Sequence, residues 1–468
     1  MKKLLANSKQ WILFALMLGV ICFLNTGYSL LKSARNTLAV VDLGKDASSI
    51  PFFELFGAMP ASIIMVFILT YLLNRHSMLK VFWITLTGFL SFFILFATVL
   101  YPLIPSIVHL LMHAQEIPGH LVLAHFAPQF FSMLFFSMAE LWKIALLTVL
   151  FWSFVNAHLP VEEAKKMYAP LMLGASLGTM LSGPLIKLCT LETFSAQSWS
   201  NSLTIMMALL TLTGVLAALL YTKLWYLLSE TPSQVPSSLA PRDPLSVKGA
   251  LEQCLKSPYL LLLGWITLAD YIAYTFGEVI FLDILKQKFP HPQDYFNYHG
   301  VLSFWNGLLT AVSALFITPY FMKHYRWVVS SLAMPLCLFV TQIPFFLLLW
   351  LTPLESSLNL LVTLGSLFYC LVRAAKYTLF DTSKEISFLL LPPLEKIQGK
   401  LIIDGICSRV GRAGASLMSL LLITLSGGVL ASGMITGVIA MFVNGASLIS
   451  TVKLGRLVDQ KTAATSSQ

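Results

Sequence analysis

Charge is scarce in this chain. Asp, Glu, Lys and Arg make up 11% of its 468 residues, against roughly 25% in soluble domains, which excludes a water-soluble globule with a charged coat. Acids are the scarcer sign, 21 against 30 Lys and Arg. The six cysteines (Cys22, Cys189, Cys254, Cys337, Cys370, Cys407) stand singly, with no CxxC pair and no Cys/His set at zinc spacing. They read as core residues, not as a disulfide or metal framework. No GxxxxGK[ST] loop occurs, which argues against a built-in ATP-hydrolysing motor. No paired-aspartate metal motif occurs either, and neither a cofactor nor a metal site is indicated.

What the chain has is apolar sequence, 57% of its residues. A spanning helix needs about 20 mainly apolar residues. Apolar runs between charge and Pro/Gly punctuation predict twelve: 11–36, 50–73, 79–101, 129–156, 167–190, 201–228, 258–282, 298–320, 326–350, 357–380, 400–426 and 428–449. The expected class is an all-α membrane protein in a lipid bilayer. Lys2, Lys3 and Lys9 ahead of the first run imitate a secretory signal, but that run is too long for one and reads as the first span. No long Ser- and Arg-rich leader precedes it, which points to a bacterial inner membrane.

The longest polar interruption, 229–257, carries Pro232, Pro236, Pro241 and Pro244 among serines. It reads as a linker between two six-helix halves, 1–228 and 258–468. With the N-terminus in the cytoplasm, Arg75, Lys80, Lys165, Lys166, Arg242, Lys248, Lys256, Lys323, Arg326, Lys384, Lys396, Lys453, Arg456 and Lys461 share that side. Fewer fall opposite, so the positive-inside rule places both termini in the cytoplasm. A net charge of +9 is explained this way without nucleic acid. The halves also echo each other weakly. A charged segment from Leu159 leads to Gly174-Ala-Ser-Leu-Gly, and one from Leu391 leads to Gly411-Arg-Ala-Gly-Ala.

Four charged pairs interrupt or flank the apolar runs at i, i+3: Lys32 with Arg35, Glu140 with Lys143, Arg373 with Lys376, and Arg409 with Arg412. That spacing puts both members on one helix face. A charge at mid-bilayer costs about 2.5 to 3.5 kcal/mol on insertion scales, so these faces are expected to line an aqueous cavity. Asp270 and Glu278 add two acids. Such a basic cavity suits phosphates, with Lys32, Arg35, Arg409, Arg412 and Lys376 as contacts. Glu140, Lys143, Asp270, Glu278, Lys384 and Lys400 would serve charge balance or coupling. The competing reading is snorkelling to headgroups or local ion pairs, such as Glu140 with Lys143.

Two signals are weaker. His109, His113, Glu116, His120 and His125 fall in a stretch read as an external loop, where spacing alone makes a poor case for zinc. Tyr271, Tyr274 and Trp305 offer rings for stacking a base, although aromatics are common here at 12%, and core packing competes for each.

Several stretches resemble the nucleotide transporter family, or ATP/ADP translocases, of chlamydiae, rickettsiae and plant plastids. They are Leu30-Leu-Lys-Ser-Ala-Arg-Asn-Thr-Leu, Ile50-Pro-Phe, Met138-Ala-Glu-Leu-Trp, Phe151-Trp, Glu163-Ala-Lys, Gly277-Glu-Val, Asp294-Tyr, Trp305-Asn-Gly, Lys376-Tyr-Thr-Leu-Phe-Asp-Thr-Ser-Lys-Glu and Gly399-Lys. The resemblance implies a twelve-helix fold similar to the major facilitator superfamily. It also implies important charges at Arg35, Glu140, Glu278 and one of Lys376, Lys384 or Lys400. Two positions depart from the family pattern. Asn36 stands where an aspartate is usual, and Leu282 where a lysine is usual.

The expectation is a secondary transporter exchanging ATP for ADP by alternating access, working as a monomer and not an enzyme. The rival within the class is a proton-coupled importer of nucleotides or NAD, in which Glu140, Asp270 or Glu278 titrates. The rival outside it is a membrane-embedded enzyme acting on a lipid phosphate.

Overall fold

In a computed structural model of the chain, residues 2–114, 119–158, 161–191, 198–229 and 247–466 are described. Among the described residues, twelve helices are long and apolar enough to cross a membrane. They are α1 Trp11–Asp42, α2 Ser49–Arg75, α3 Met78–His113, α4 His120–Val155, α5 Pro170–Cys189, α6 Trp199–Leu228, α7 Pro258–Lys288, α8 Pro292–His324, α9 Ala333–Leu351, α10 Leu354–Leu389, α11 Gln398–Ser426 and α12 Val429–Thr462.

Their ends follow local chemistry. Proline opens α7 and α8, where its missing N–H costs nothing. Ser77, in extended conformation, caps α3 by accepting from the Lys80 amide. Gly427, at φ 79°, ends α11 in the left-handed conformation that glycine adopts without a Cβ penalty. Most helices run past the predicted apolar runs by a turn or more. One expectation is corrected outright: His109 and His113 lie on α3, and His120 and His125 on α4. Glu116 lies outside the described residues. Residues 230–246 of the expected linker also lie outside them, whereas Val247–Lys256 is a short helix.

The chain divides into two compact bodies, Met1–Val235 with Phe289–Leu308, and Pro236–Lys288 with Leu309–Gln468. In the first, α1 packs against α4, α5 and α6, and α3 packs against α4 and α6. In the second, α7 packs against α10, α11 and α12, and α9 against α10 and α12. The same arrangement is thus built twice. Glycine permits close helix packing in the first body. A Cβ on Gly178 of α5 would stand 2.2 Å from the Cys22 carbonyl oxygen of α1. The leading part of α8 reaches α5 similarly, since a Cβ on Gly183 would meet the Gly300 carbonyl at 2.7 Å.

Among the described residues, seven stretches widen from α- to π-helical turns, including Leu38–Asp42, Lys143–Phe151, Lys376–Phe380 and Leu401–Cys407. Such turns insert an extra residue into a helix and often mark functional sites. Two of them begin at a lysine already singled out by its charge, Lys143 and Lys376.

Candidate functional site

In the first body the charges sit where α1 meets α4. Tyr28, Lys32 and Arg35 follow one another at helical spacing on α1, and Phe136, Glu140 and Lys143 do so on α4. Arg35 Nη1 bonds Glu140 Oε1, and both side chains are almost fully buried, 7% and 6% exposed. The guanidinium lies over the Phe136 ring, 4.2 Å from its centre. Tyr28 donates its hydroxyl to the same Glu140 oxygen at 3.1 Å. Its ring face carries the Lys143 ammonium at 5.4 Å. Lys32 is half-buried one turn before Arg35.

Glu140 is also joined across helices, which its local spacing to Lys143 did not indicate. This partner comes from α1, 105 residues earlier. A guanidinium pinned between a carboxylate and a ring is a charge-assisted contact in low dielectric, where loss of either partner is costly.

In the second body the corresponding meeting is between α7 and α10. Arg373 Nη2 bonds Glu278 Oε1 at 2.8 Å, with side chains 12% and 20% exposed. Arg373 Nε donates to the Tyr274 hydroxyl at 2.6 Å, and the guanidinium lies over Tyr369 at 4.0 Å. Tyr274 also stacks on Phe368, with centroids 5.5 Å apart. Lys376 stands over the Tyr271 ring at 3.8 Å, and Arg412 of α11 approaches the same ring at 5.4 Å.

The remaining candidates separate by surroundings. Lys384 reaches Asp404 at 2.8 Å and Asp381 at 3.6 Å, which fastens α10 to α11. Lys400 binds Glu385 at 2.8 Å across the same two helices, but both side chains are about half exposed, 46% and 50%. Asp270 is buried on α7, with Ser447 of α12 at 3.5 Å. Arg409 is exposed. Trp305 is 51% exposed and meets Phe304 edge-on. Among the described residues, no three His, Cys, Asp or Glu side chains gather at metal spacing. His109 and His113 stack on each other at 4.3 Å.

Sequence reasoning passed over Tyr28, Phe136 and Tyr369. One signal was available for the first: Tyr28 stands seven residues before Arg35, as Tyr271 stands seven before Glu278. Chemically, each body joins two helices through a secluded arginine–glutamate pair and keeps half-buried cations beside a tyrosine face. Lys143 does so in the first body, Lys376 and Arg412 in the second. Cations so held favour an anionic solute over a neutral or cationic one.

The profile of the TLC ATP/ADP transporter family matches residues 5–457. ADP,ATP carrier protein 1 of Chlamydia trachomatis is 30% identical, over 93% of this chain and 87% of its own length. The protein of the same name from Chlamydia pneumoniae is 29% identical over 92% and 88%. The chloroplastic ADP,ATP carrier protein 2 of Arabidopsis thaliana is 29% identical over 88% of this chain and 69% of its own. Among solved structures, an inward-facing bacterial homologue of the iron transporter ferroportin superposes with a TM-score of 0.62 at 13% identity, over 95% and 98% of the two chains. The xylose transporter XylE of E. coli gives 0.55 at 13%, over 93% and 96%. These likenesses, at 13% identity, are of fold alone: the chain shares the helical architecture of these structures.

Proposed function

We propose, from the premise that the chain belongs to the TLC ATP/ADP transporter family, that it exchanges ATP for ADP across a membrane by alternating access. The observation that carries this reading is the pair of half-buried cationic groups, each built on a tyrosine face beside a buried ion pair. Such groups hold phosphates by charge. An empty basic site that resists reorientation without an anion inside makes transport an exchange.

Lys32 and Arg412 contribute to phosphate contact, and the α10–α11 lysine that matters is Lys376. Lys384 and Lys400 are each held by a carboxylate instead. The moving bodies are the six-helix halves, the membrane is a bacterial inner membrane with both termini in the cytoplasm, and the monomer is the working unit.

Uptake of labelled ATP, ADP, NAD and adenosine into liposomes carrying the purified protein tests this. Uptake of ATP is expected to require internal ADP or ATP, and adenosine to compete poorly. Uptake into empty vesicles driven by an inward acid gradient would replace exchange with proton coupling. NAD outcompeting both ATP and ADP would change the substrate and keep the transporter.

A further inference from the structure

The two bodies carry one residue pattern in one register. On α1 and α7 a tyrosine stands seven residues before a charged residue, Tyr28 before Arg35 and Tyr271 before Glu278. On α4 and α10 the run of ring, charge and lysine has identical spacing, Phe136, Glu140, Lys143 and Tyr369, Arg373, Lys376. Contacts repeat with it. The guanidinium lies on the α4 or α10 ring at 4.2 and 4.0 Å. The lysine lies on the α1 or α7 tyrosine at 5.4 and 3.8 Å. The widened turn begins at that lysine both times.

One feature is exchanged. In the first body the arginine is on the first helix of the pair and the acid on the second; in the second body the acid comes first and the arginine second. A residue that recognises a phosphate directly does not tolerate reversal of its sign, since one polarity attracts the anion and the other repels it. What survives the reversal in both bodies is the lysine, its tyrosine face and its turn.

We propose that Arg35–Glu140 and Glu278–Arg373 are interchangeable positioning pairs, and that the group each presents to a substrate phosphate is the lysine three residues on, Lys143 and Lys376. This rests on the nucleotide-exchange reading above. The pair fastens two helices at a fixed height and the guanidinium is fixed over a ring. The ammonium held on a tyrosine face is fixed by a contact that phosphate oxygens can join without displacing it. Lys143, assigned from sequence to charge balance, becomes the first body's equivalent of Lys376.

The test reconstitutes full-length protein in liposomes loaded with ADP and measures labelled ATP uptake for reversed singles, reversed pairs and lysine variants. Arg35→Glu and Glu140→Arg alone are expected to fall below a tenth of wild-type uptake. The double Arg35→Glu/Glu140→Arg is expected to recover at least a third, with KM for ATP within threefold of wild type. Glu278→Arg/Arg373→Glu is expected to behave the same way. Lys143→Gln and Lys376→Gln are each expected to raise KM at least tenfold while Vmax falls by less than threefold.

A double that stays as inactive as its singles at wild-type abundance overturns the proposal. So does a double that fails to accumulate in the membrane, because polarity is then fixed by packing. A lysine variant with KM within twofold of wild type overturns it as well. The unfolding temperature of each purified double against its singles reports the same rescue without transport. Wild-type protein that carries no nucleotide therefore sinks the exchange reading and leaves the pairing to be decided by temperature.

Discussion

The ion pair of the first body and that of the second differ less in geometry than in seclusion. Arg35 and Glu140 are 7% and 6% exposed, Arg373 and Glu278 12% and 20%. In the first, one tyrosine does two tasks, since Tyr28 donates to Glu140 and supports Lys143. In the second the tasks are divided between Tyr274 and Tyr271. The same mechanical joint has thus been made once dry and compact, and once wetter with its parts separated. The drier version depends more on every part.

The largest expected effect is at the drier joint. Glu140→Ala leaves the Arg35 guanidinium buried without its carboxylate, a loss of about 3–5 kcal/mol by the usual cost of breaking a buried pair. Glu278→Ala should cost about 1.5–3 kcal/mol, as for one hydrogen bond to a charged group. Denaturation of the purified variants in detergent checks the order, and equal losses would break the comparison.

Helix contact comes next. Gly178→Ala places a Cβ 2.2 Å from a backbone oxygen of α1, whereas for Gly411→Ala in the second body the nearest atom is the far end of the Leu268 side chain at 3.2 Å, with Tyr271 Cβ at 3.4 Å. The first is expected to destabilise by about 1–3 kcal/mol, as overpacking does, and the second by clearly less. A thermal-shift assay on both proteins decides it.

The division of labour between tyrosines gives a sharper test. Removing only the hydroxyl should hurt most where the hydroxyl bonds the buried pair, as in Tyr28 and Tyr274, and less at Tyr271, whose ring face carries Lys376. Tyr28→Phe and Tyr274→Phe are therefore expected to lose more uptake than Tyr271→Phe. Kinetic comparison of the three, with Tyr271→Leu as the face-deleting control, settles whether faces and hydroxyls act separately. The smallest effect belongs to Lys400→Ala, whose pair with Glu385 is about half exposed. It should cost less than about 1 kcal/mol, against a larger loss for Lys384→Ala, whose partners are better buried.

The helices were legible because bilayer thickness writes itself into a sequence as runs of about 20 apolar residues. Their number and approximate places follow directly. Where α3 and α4 extend beyond the runs, histidines and prolines diluted the signal, and the stretch holding His109 and His125 read as a loop. Pairing was not legible. Spacing at i, i+3 reports that Glu140 and Lys143 share a face, but it is silent on which helix supplies the opposite charge. The partner, Arg35, lies on a different helix, as does Glu278 for Arg373. The widened turns at Lys143 and Lys376 were invisible for a related reason, since an extra residue in a turn leaves an apolar run apolar.

The reversed polarity of the two pairs has a consequence for how the chain is made. Arg35 leaves the ribosome 105 residues ahead of Glu140, which at ordinary synthesis rates is roughly 5–20 s. During that interval helix α1 carries Lys32 and Arg35 with no carboxylate of α4 to meet them, at an insertion cost of about 2.5 to 3.5 kcal/mol per central charge. In the second body the order is opposite: Glu278 emerges first and Arg373 follows 95 residues later. A nascent α7 waits with an acid, which can take up a proton and enter lipid neutral, whereas an arginine stays charged. The first half of the chain therefore faces the harder wait, with two cations held on its first helix until the fourth arrives.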